Sequence, residues 1–152
     1  MSRRFLAILL AGGVLLAAGC GVAPRASVLN HSPSAAAAIA QRYVDLLLVR
    51  KDADAAYGLV DADARARVSV ETLQEAVAKA PGYGQVTSVQ AVEYQPVPGQ
   101  PAMDIFLTGS AGGRTFYYAV RLSGTRDEGY LVNDLSIESE PFRASSLRES
   151  LQ

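Results

Sequence analysis

The residue with the most distinctive chemistry in this chain is Cys20, its single cysteine. One thiol cannot close an internal disulfide, so its value lies in nucleophilicity or covalent attachment. The single histidine, His31, falls in Gly21 to Pro33, a stretch with two prolines and no apolar periodicity that reads as a tether. A base on a flexible arm is not held in catalytic geometry, and no chemistry is expected of it. Asp52, Asp54, Asp61 and Asp63 form an acidic cluster, but it lacks the glycine and terminal glutamate of a calcium loop. Asp52 and Asp61 read better as helix-end residues. There is no phosphate-binding glycine motif, no nucleophile elbow and no Cys/His metal spacing. No metal and no cofactor is expected.

The surroundings of Cys20 give its thiol a use. Arg3 and Arg4 make a short positive region, Phe5 to Ala18 an apolar one, and Leu16-Ala17-Ala18-Gly19 brings small residues up to the cysteine. This resembles the lipobox of bacterial lipoproteins. The resemblance implies cleavage before Cys20, a diacylglycerol thioether on its sulfur and, often, acylation of the freed amine. At about 0.8 kcal/mol per buried methylene, two or three acyl chains make such an anchor effectively permanent. The alternative is an uncleaved signal anchor, since the apolar run continues to Ala23, although Gly12, Gly13, Gly19 and Gly21 weaken it as a spanning helix. Ser2-Arg3-Arg4-Phe5-Leu6 also looks like a twin-arginine export signal, but lacks the residue expected between Arg4 and Phe5. The general secretory route fits better. Gly21 and Val22 lack the aspartate that holds enteric lipoproteins at the inner membrane, and sorting between membranes stays open.

The expected organisation is therefore a leader at 1–19, lipidated Cys20 and tether at 20–33, one folded domain at 34–138, and a polar tail at 139–152 with Phe142, Leu147 and Leu151 as docking residues. With the leader removed, 133 of the 152 residues remain, enough to bury a core without disulfides or metals. Arg3 and Arg4 leave with the leader, so twelve of the 14 basic residues stand against 15 acidic ones, a formal charge near −3. No Lys/Arg run occurs, which argues against a nucleic-acid partner.

Periodicity supplies the elements. Ser32-Pro33 opens a helix, and Ala36, Ile39, Ala40, Tyr43, Val44 and Leu47 form its apolar stripe up to Arg50. Asp52 or Asp54 opens a second helix carrying Tyr57, Leu59 and Val60, which ends at Asp61-Ala62-Asp63. Ser69 caps a third, with Leu73, Ala76 and Val77 on one face. After Gly84 the period falls to two. Residues 85–97 form a strand whose apolar phase slips from Val89 and Ala91 to Val92 and Tyr94, the mark of a β-bulge near Ala91. Met103 to Thr108 and Arg114 to Ser123 follow. Tyr130 to Glu138 is the fourth strand, with Leu131, Asn133, Leu135 and Ile137 in one phase. Three helices and a four-stranded antiparallel meander make an α+β domain, with the helices across one face of a curved sheet.

That order, with Leu46 to Asp52, Ala55-Ala56-Tyr57, Arg65 to Ser69, Gly84 before a strand and Gly129-Tyr130-Leu131-Val132 at the end, resembles the nuclear-transport-factor-two-like superfamily, the cystatin-like α+β cone. The resemblance spans about Ser34 to Glu138. It departs at Tyr130, where the superfamily usually has tryptophan. It implies a sheet wrapped around the first helix with a pocket at the wide end, and it leaves activity open, because the superfamily holds isomerases, cyclases and dehydratases beside non-enzymatic binding modules.

An isomerase-type pocket would need a carboxylate base and hydroxyl donors for an enolate, for which Asp104, Asp134, Tyr43, Tyr117 and Tyr118 are the right types. Alternation puts Tyr117 and Tyr118 on opposite faces, and Asp104 and Asp134 out of phase with the apolar sets, on the solvated side. The reading favoured is a non-catalytic binding domain. Tyr43, Tyr57, Tyr118 and Asn133 are its pocket candidates, Asn133 because a polar side chain on a buried face must find a partner in the protein or in a ligand. The expected partners are a membrane, through the anchor, and a small apolar ligand or an envelope protein. The rivals are a sheet-mediated interaction module, often a homodimer, and an isomerase- or dehydratase-like enzyme.

Overall fold

A computed structural model of the chain describes residues 30–79 and 85–152. Cys20, the leader, most of the tether and the Pro81–Gly84 break lie outside the described residues. The architecture is α+β: helices pack on one face of an antiparallel sheet with strand order β4-β3-β2-β1-β5. The four expected strands are β1 (Val86–Pro96), β2 (Ala102–Ala111), β3 (Arg114–Thr125) and β4 (Gly129–Glu138), a meander in which each pairs with the next. The fifth corrects the sequence expectation. β5 (Glu149–Ser150) comes from the polar tail and pairs antiparallel with β1 at Glu93 and Tyr94. Its pairing rests on backbone hydrogen bonds such as Leu151 N–H to the Val92 carbonyl, 2.9 Å, which apolar patterning does not register.

The inner face of the sheet follows strict alternation in β2 and β3. Met103, Ile105 and Leu107 are buried on one strand, and Phe116, Tyr118, Val120 and Leu122 on the next. Gly109 is required by that packing. A Cβ there would stand 2.8 Å from Tyr118 Cε2 and 2.9 Å from the Ser88 carbonyl oxygen. Register shifts interrupt the ladders at three points. The β1–β2 register shifts between Val86 and Ser88 and again, at a bulge, between Ala91 and Glu93, where the phase slip in the sequence falls. The β3–β4 register shifts between Arg121 and Leu122, so that Leu122 pairs with Val132 and Arg121 with Asp134. Asn133 is therefore the extra residue of β4. This second bulge overturns the single phase expected for β4: Tyr130 and Val132 are buried before it, Leu135 and Ile137 half-buried after it, and Leu131 is 45% exposed.

α1 (Pro33–Val44) lies on the sheet through Ala36, Ala40, Tyr43 and Val44. Pro33 stands at its start, but the Ser32 side chain makes no cap bond. Instead the Ser32 amide donates to the Tyr130 hydroxyl at 2.7 Å. Beyond Val44 the helix widens into a π-helical turn, Asp45–Val49, closed by Arg50 N–H to the Asp45 carbonyl. Leu46 and Leu47 of this turn are both buried. Lys51 then reverses the chain at φ 57°. Three short helices follow, where the sequence suggests two: α2 (Ala53–Tyr57), α3 (Ala62–Arg65) and α4 (Val70–Ala78). Asp52, Asp61 and Ser69 are their N-caps, accepting from the amides of Ala55, Ala64 and Thr72. The extra helix is a single turn, too short for any periodicity to be seen. Among the described residues no helix is long and apolar enough to cross a membrane.

The last tether residues are held against the sheet. His31 stacks on Tyr130 with ring centroids 6.4 Å apart, and Asn30 donates its side-chain amide to Asp127 in the β3–β4 hairpin.

Candidate functional site

A cavity of about 250 Å³ opens between the helices and β4. Its floor is Val132, Leu135 and Ile137 of β4. Tyr43 of α1 and Leu47 and Leu48 of the π-helical turn make one wall. The opposite wall is α4, through Leu73, Ala76 and Val77, with Val60, Ala64 and Val68 closing the end. α4 suits this position because none of its residues is fully buried: it leans on the domain without completing the core. The π-helical turn contributes two adjacent leucines to this wall.

Polar groups enter the lining only as Tyr43, Asn133 and Asp134. Tyr43 is 4% exposed as a residue, and its hydroxyl, open to the cavity rather than sealed from solvent, makes no hydrogen bond with any described residue. Burial, reinforced by the charge of Asp134, pushes its pKa up to about 12, so the phenol stays protonated. Asn133 has its amide committed: Nδ2 donates to Asp61 Oδ2 at 2.9 Å. A carboxylate only accepts, so the amide nitrogen must face Asp61 and Oδ1 is the free end, with no donor among the described residues. Asp134 is exposed at the rim and sits across from Arg121 in the β3–β4 register.

Behind Asn133 stands a buried network that sequence reasoning did not foresee. Asp61, 7% exposed, caps α3 through Oδ1 on the Ala64 amide at 2.7 Å. Its Oδ2 accepts from Ser123 Oγ at 2.7 Å as well as from Asn133. Backbone bonds on either side, Asp61 N–H to the Val132 carbonyl and Val132 N–H to the Leu59 carbonyl, join this segment to β4. Arg67 donates to the Asn133 carbonyl at 3.2 Å. Burial pushes the Asp61 carboxyl up, but the bonds from Ala64, Ser123 and Asn133, with the charge of Arg67, outweigh it and hold the pKa below the usual range. An aspartate beside an apolar Val60 at a helix start signals a cap. Nothing local in sequence signals its distant partners.

Of the four pocket candidates, the structure brings Tyr43 and Asn133 to this cavity. Tyr118 is buried in the core beneath Gly109 and is not among the lining residues. Tyr57 also lies outside the lining, half-buried with the Arg65 guanidinium 5.2 Å over its ring. Asp104 is held by Arg121 in a two-pronged pair, Nε to Oδ1 at 2.8 Å and Nη2 to Oδ2 at 2.9 Å. The registers align Asp104, Arg121 and Asp134 in a row on the face away from Ile105 and Val120. Asp134, at the edge strand, touches both that row and the cavity rim. Tyr117 lies on the outer face, in a separate groove of about 350 Å³ under the tail with Phe106, Phe142 and Arg148. A broader cleft of about 630 Å³ near Gln41, Gln90 and Ser110 is polar and shallow. Among the described residues no group of three or more His, Cys, Asp or Glu side chains is arranged to hold a metal.

The chain matches no protein-family model, no curated protein and no solved structure.

Proposed function

We propose that the protein is a lipid-anchored cell-envelope lipoprotein whose α+β domain binds a small apolar ligand without transforming it. The anchor reading rests on the leader and Cys20. The binding reading rests on the cavity, and on a Tyr43 hydroxyl that stands in its lining with no hydrogen-bond partner among the described residues. An apolar space with a few convergent polar groups is the ordinary form of a small-molecule site, and 250 Å³ lies just below the usual range of roughly 300–1,000 Å³. Asp104, tied to Arg121 away from the cavity, leaves the exposed Asp134 as the one carboxylate in the lining, beside a cation and in water. That favours binding over proton abstraction. The outer sheet face over Phe106 is occupied by the chain's own tail, which favours the cavity over a sheet-to-sheet interaction. The superfamily resemblance agrees with helices laid on an antiparallel sheet whose ladders shift register at three points.

Two measurements test the two parts. A Cys20→Ala variant expressed in a bacterium is expected to accumulate as unprocessed precursor without fatty-acid label, and normal processing would overturn the anchor. For the cavity, compact neutral apolar compounds are expected to raise the melting temperature by mass action. Ala76→Phe, at an exposed α4 position facing the cavity, should abolish that rise while leaving the ligand-free melting temperature close to wild type. An undiminished rise in the variant would place binding elsewhere.

A further inference from the structure

The two free polar ends in the cavity wall differ in kind, and together they specify a head group. Tyr43 carries a protonated hydroxyl without a described partner. Asn133 carries a carbonyl-type oxygen, fixed as the free end because its nitrogen is spent on Asp61. One is best used as a donor and the other can only accept. Apart from Asp134 at the rim, the remaining lining is aliphatic and contains no lysine, arginine or histidine. The nearest cations are engaged: Arg67 on the Asn133 carbonyl and beside Asp61, Arg121 on both oxygens of Asp104. Asp134 adds negative charge at the rim, strongly enough to help raise the Tyr43 pKa.

We infer that the cavity takes an uncharged, compact aliphatic molecule with one hydroxyl, which accepts from Tyr43 and donates to Asn133 Oδ1, and that it rejects the corresponding carboxylate. The inference rests on the binding reading above. A hydroxyl is the smallest group that can both accept, as Tyr43 requires, and donate, as Asn133 requires. A carboxylate has no proton for Asn133, would meet the Asp134 charge, and would lose its hydration without gaining a cation. A halide of the same shape fills the space but leaves both wall atoms unsatisfied.

Binding of 1-adamantanol, 1-chloroadamantane and adamantane-1-carboxylate, measured by calorimetry and thermal shift at pH 7, separates the cases. The alcohol is expected to bind roughly threefold to tenfold more tightly than the chloride, as one or two net hydrogen bonds allow. The carboxylate is expected to bind at least tenfold more weakly than the alcohol. Tyr43→Phe, which removes no protein hydrogen bond among the described residues and should fold, brings the alcohol down toward the chloride and leaves the chloride unchanged. If the alcohol and chloride bind equally, or the carboxylate binds as well as the alcohol, the head-group inference falls and the cavity reading stands. If none of the three binds the folded wild-type protein, both fall.

Discussion

Asn133 donates its side-chain amide to Asp61 across 72 positions of sequence, and this one 2.9 Å bond ties the start of α3 to the bulge of β4. Asp61 is the only charged residue among the described ones that is buried, and it takes three hydrogen bonds on two oxygens. The cavity depends on that arrangement. The bulge turns Asn133 inward beside Val132, and the carboxylate fixes which end of its amide faces the empty space.

Removing the carboxylate should cost far more than an ordinary cap. Asp61→Ala loses the α3 cap and strands the Ser123 and Asn133 donors, a loss of about 3 kcal/mol or more. Asn133→Asp sets two carboxylates against each other and should also destabilise. Asp61→Asn combined with Asn133→Asp restores a donor facing an acceptor and should recover most of the loss. Urea midpoints of the single and double variants test this, and simple additivity of the two losses would sink the pairing.

The lowered Asp61 pKa has a definite sign in stability. A carboxyl that binds protons less well folded than unfolded adds stability above its ordinary range, near 4, and loses it as pH falls through the folded value. The stability gap between wild type and Asp61→Asn should therefore be widest near neutrality and narrow progressively below about pH 4. A gap that stays constant down to pH 2.5, followed by denaturant unfolding, would contradict the geometry.

Tyr43 should act at the opposite end of the scale. Its folded pKa of about 12 lies above the ordinary tyrosine value near 10, so its contribution is complete below pH 10 and fades as pH rises toward 12. Two pKa units correspond to about 2–3 kcal/mol. Absorbance near 295 nm should show a late-titrating tyrosine in the folded protein. Tyr94, held by its bond to Glu149, is raised as well, so Tyr43→Phe should shrink the late component by one ring, and an unchanged amplitude would reassign it.

Some of this was readable in the residues and some was not, for physical reasons. The β1 bulge announced itself because Val89 and Ala91 have one parity and Val92 and Tyr94 the other. The β4 bulge did not, because Tyr130 and Val132 are as apolar as Leu131, Leu135 and Ile137, so both parities fit until the register is seen. Leu46-Leu47-Leu48-Val49 hides the π-helical turn in the same way, since an all-apolar run has no phase to break. Tyr118 has the right alternation for an inward residue, but alternation cannot say whether inward means cavity or core. Asp61 was legible as a cap and illegible as the hub, whose partners lie 62 and 72 residues away.

The tail is the least legible element and yields the last prediction. Arg148 has a side chain only 13% exposed, with its guanidinium 3.7 Å above the Phe106 ring. It donates to the carbonyls of Phe142 and Arg143 and pairs with Glu93 at 3.3 Å. Phe142 tilts against Phe106 with centroids 5.8 Å apart, so a phenylalanine on the outer sheet face is 91% covered by polar-looking sequence. A lysine keeps the charge but not the planar stack or the fork onto two carbonyls. Arg148→Lys should therefore release the tail almost as fully as Arg148→Ala, each costing about 1–2 kcal/mol. Hydrogen exchange should speed at Leu151, whose amide closes on Val92, while β3 amides keep their protection. If Arg148→Lys leaves Leu151 exchange at the wild-type rate, charge alone holds the tail and the stack over Phe106 contributes nothing.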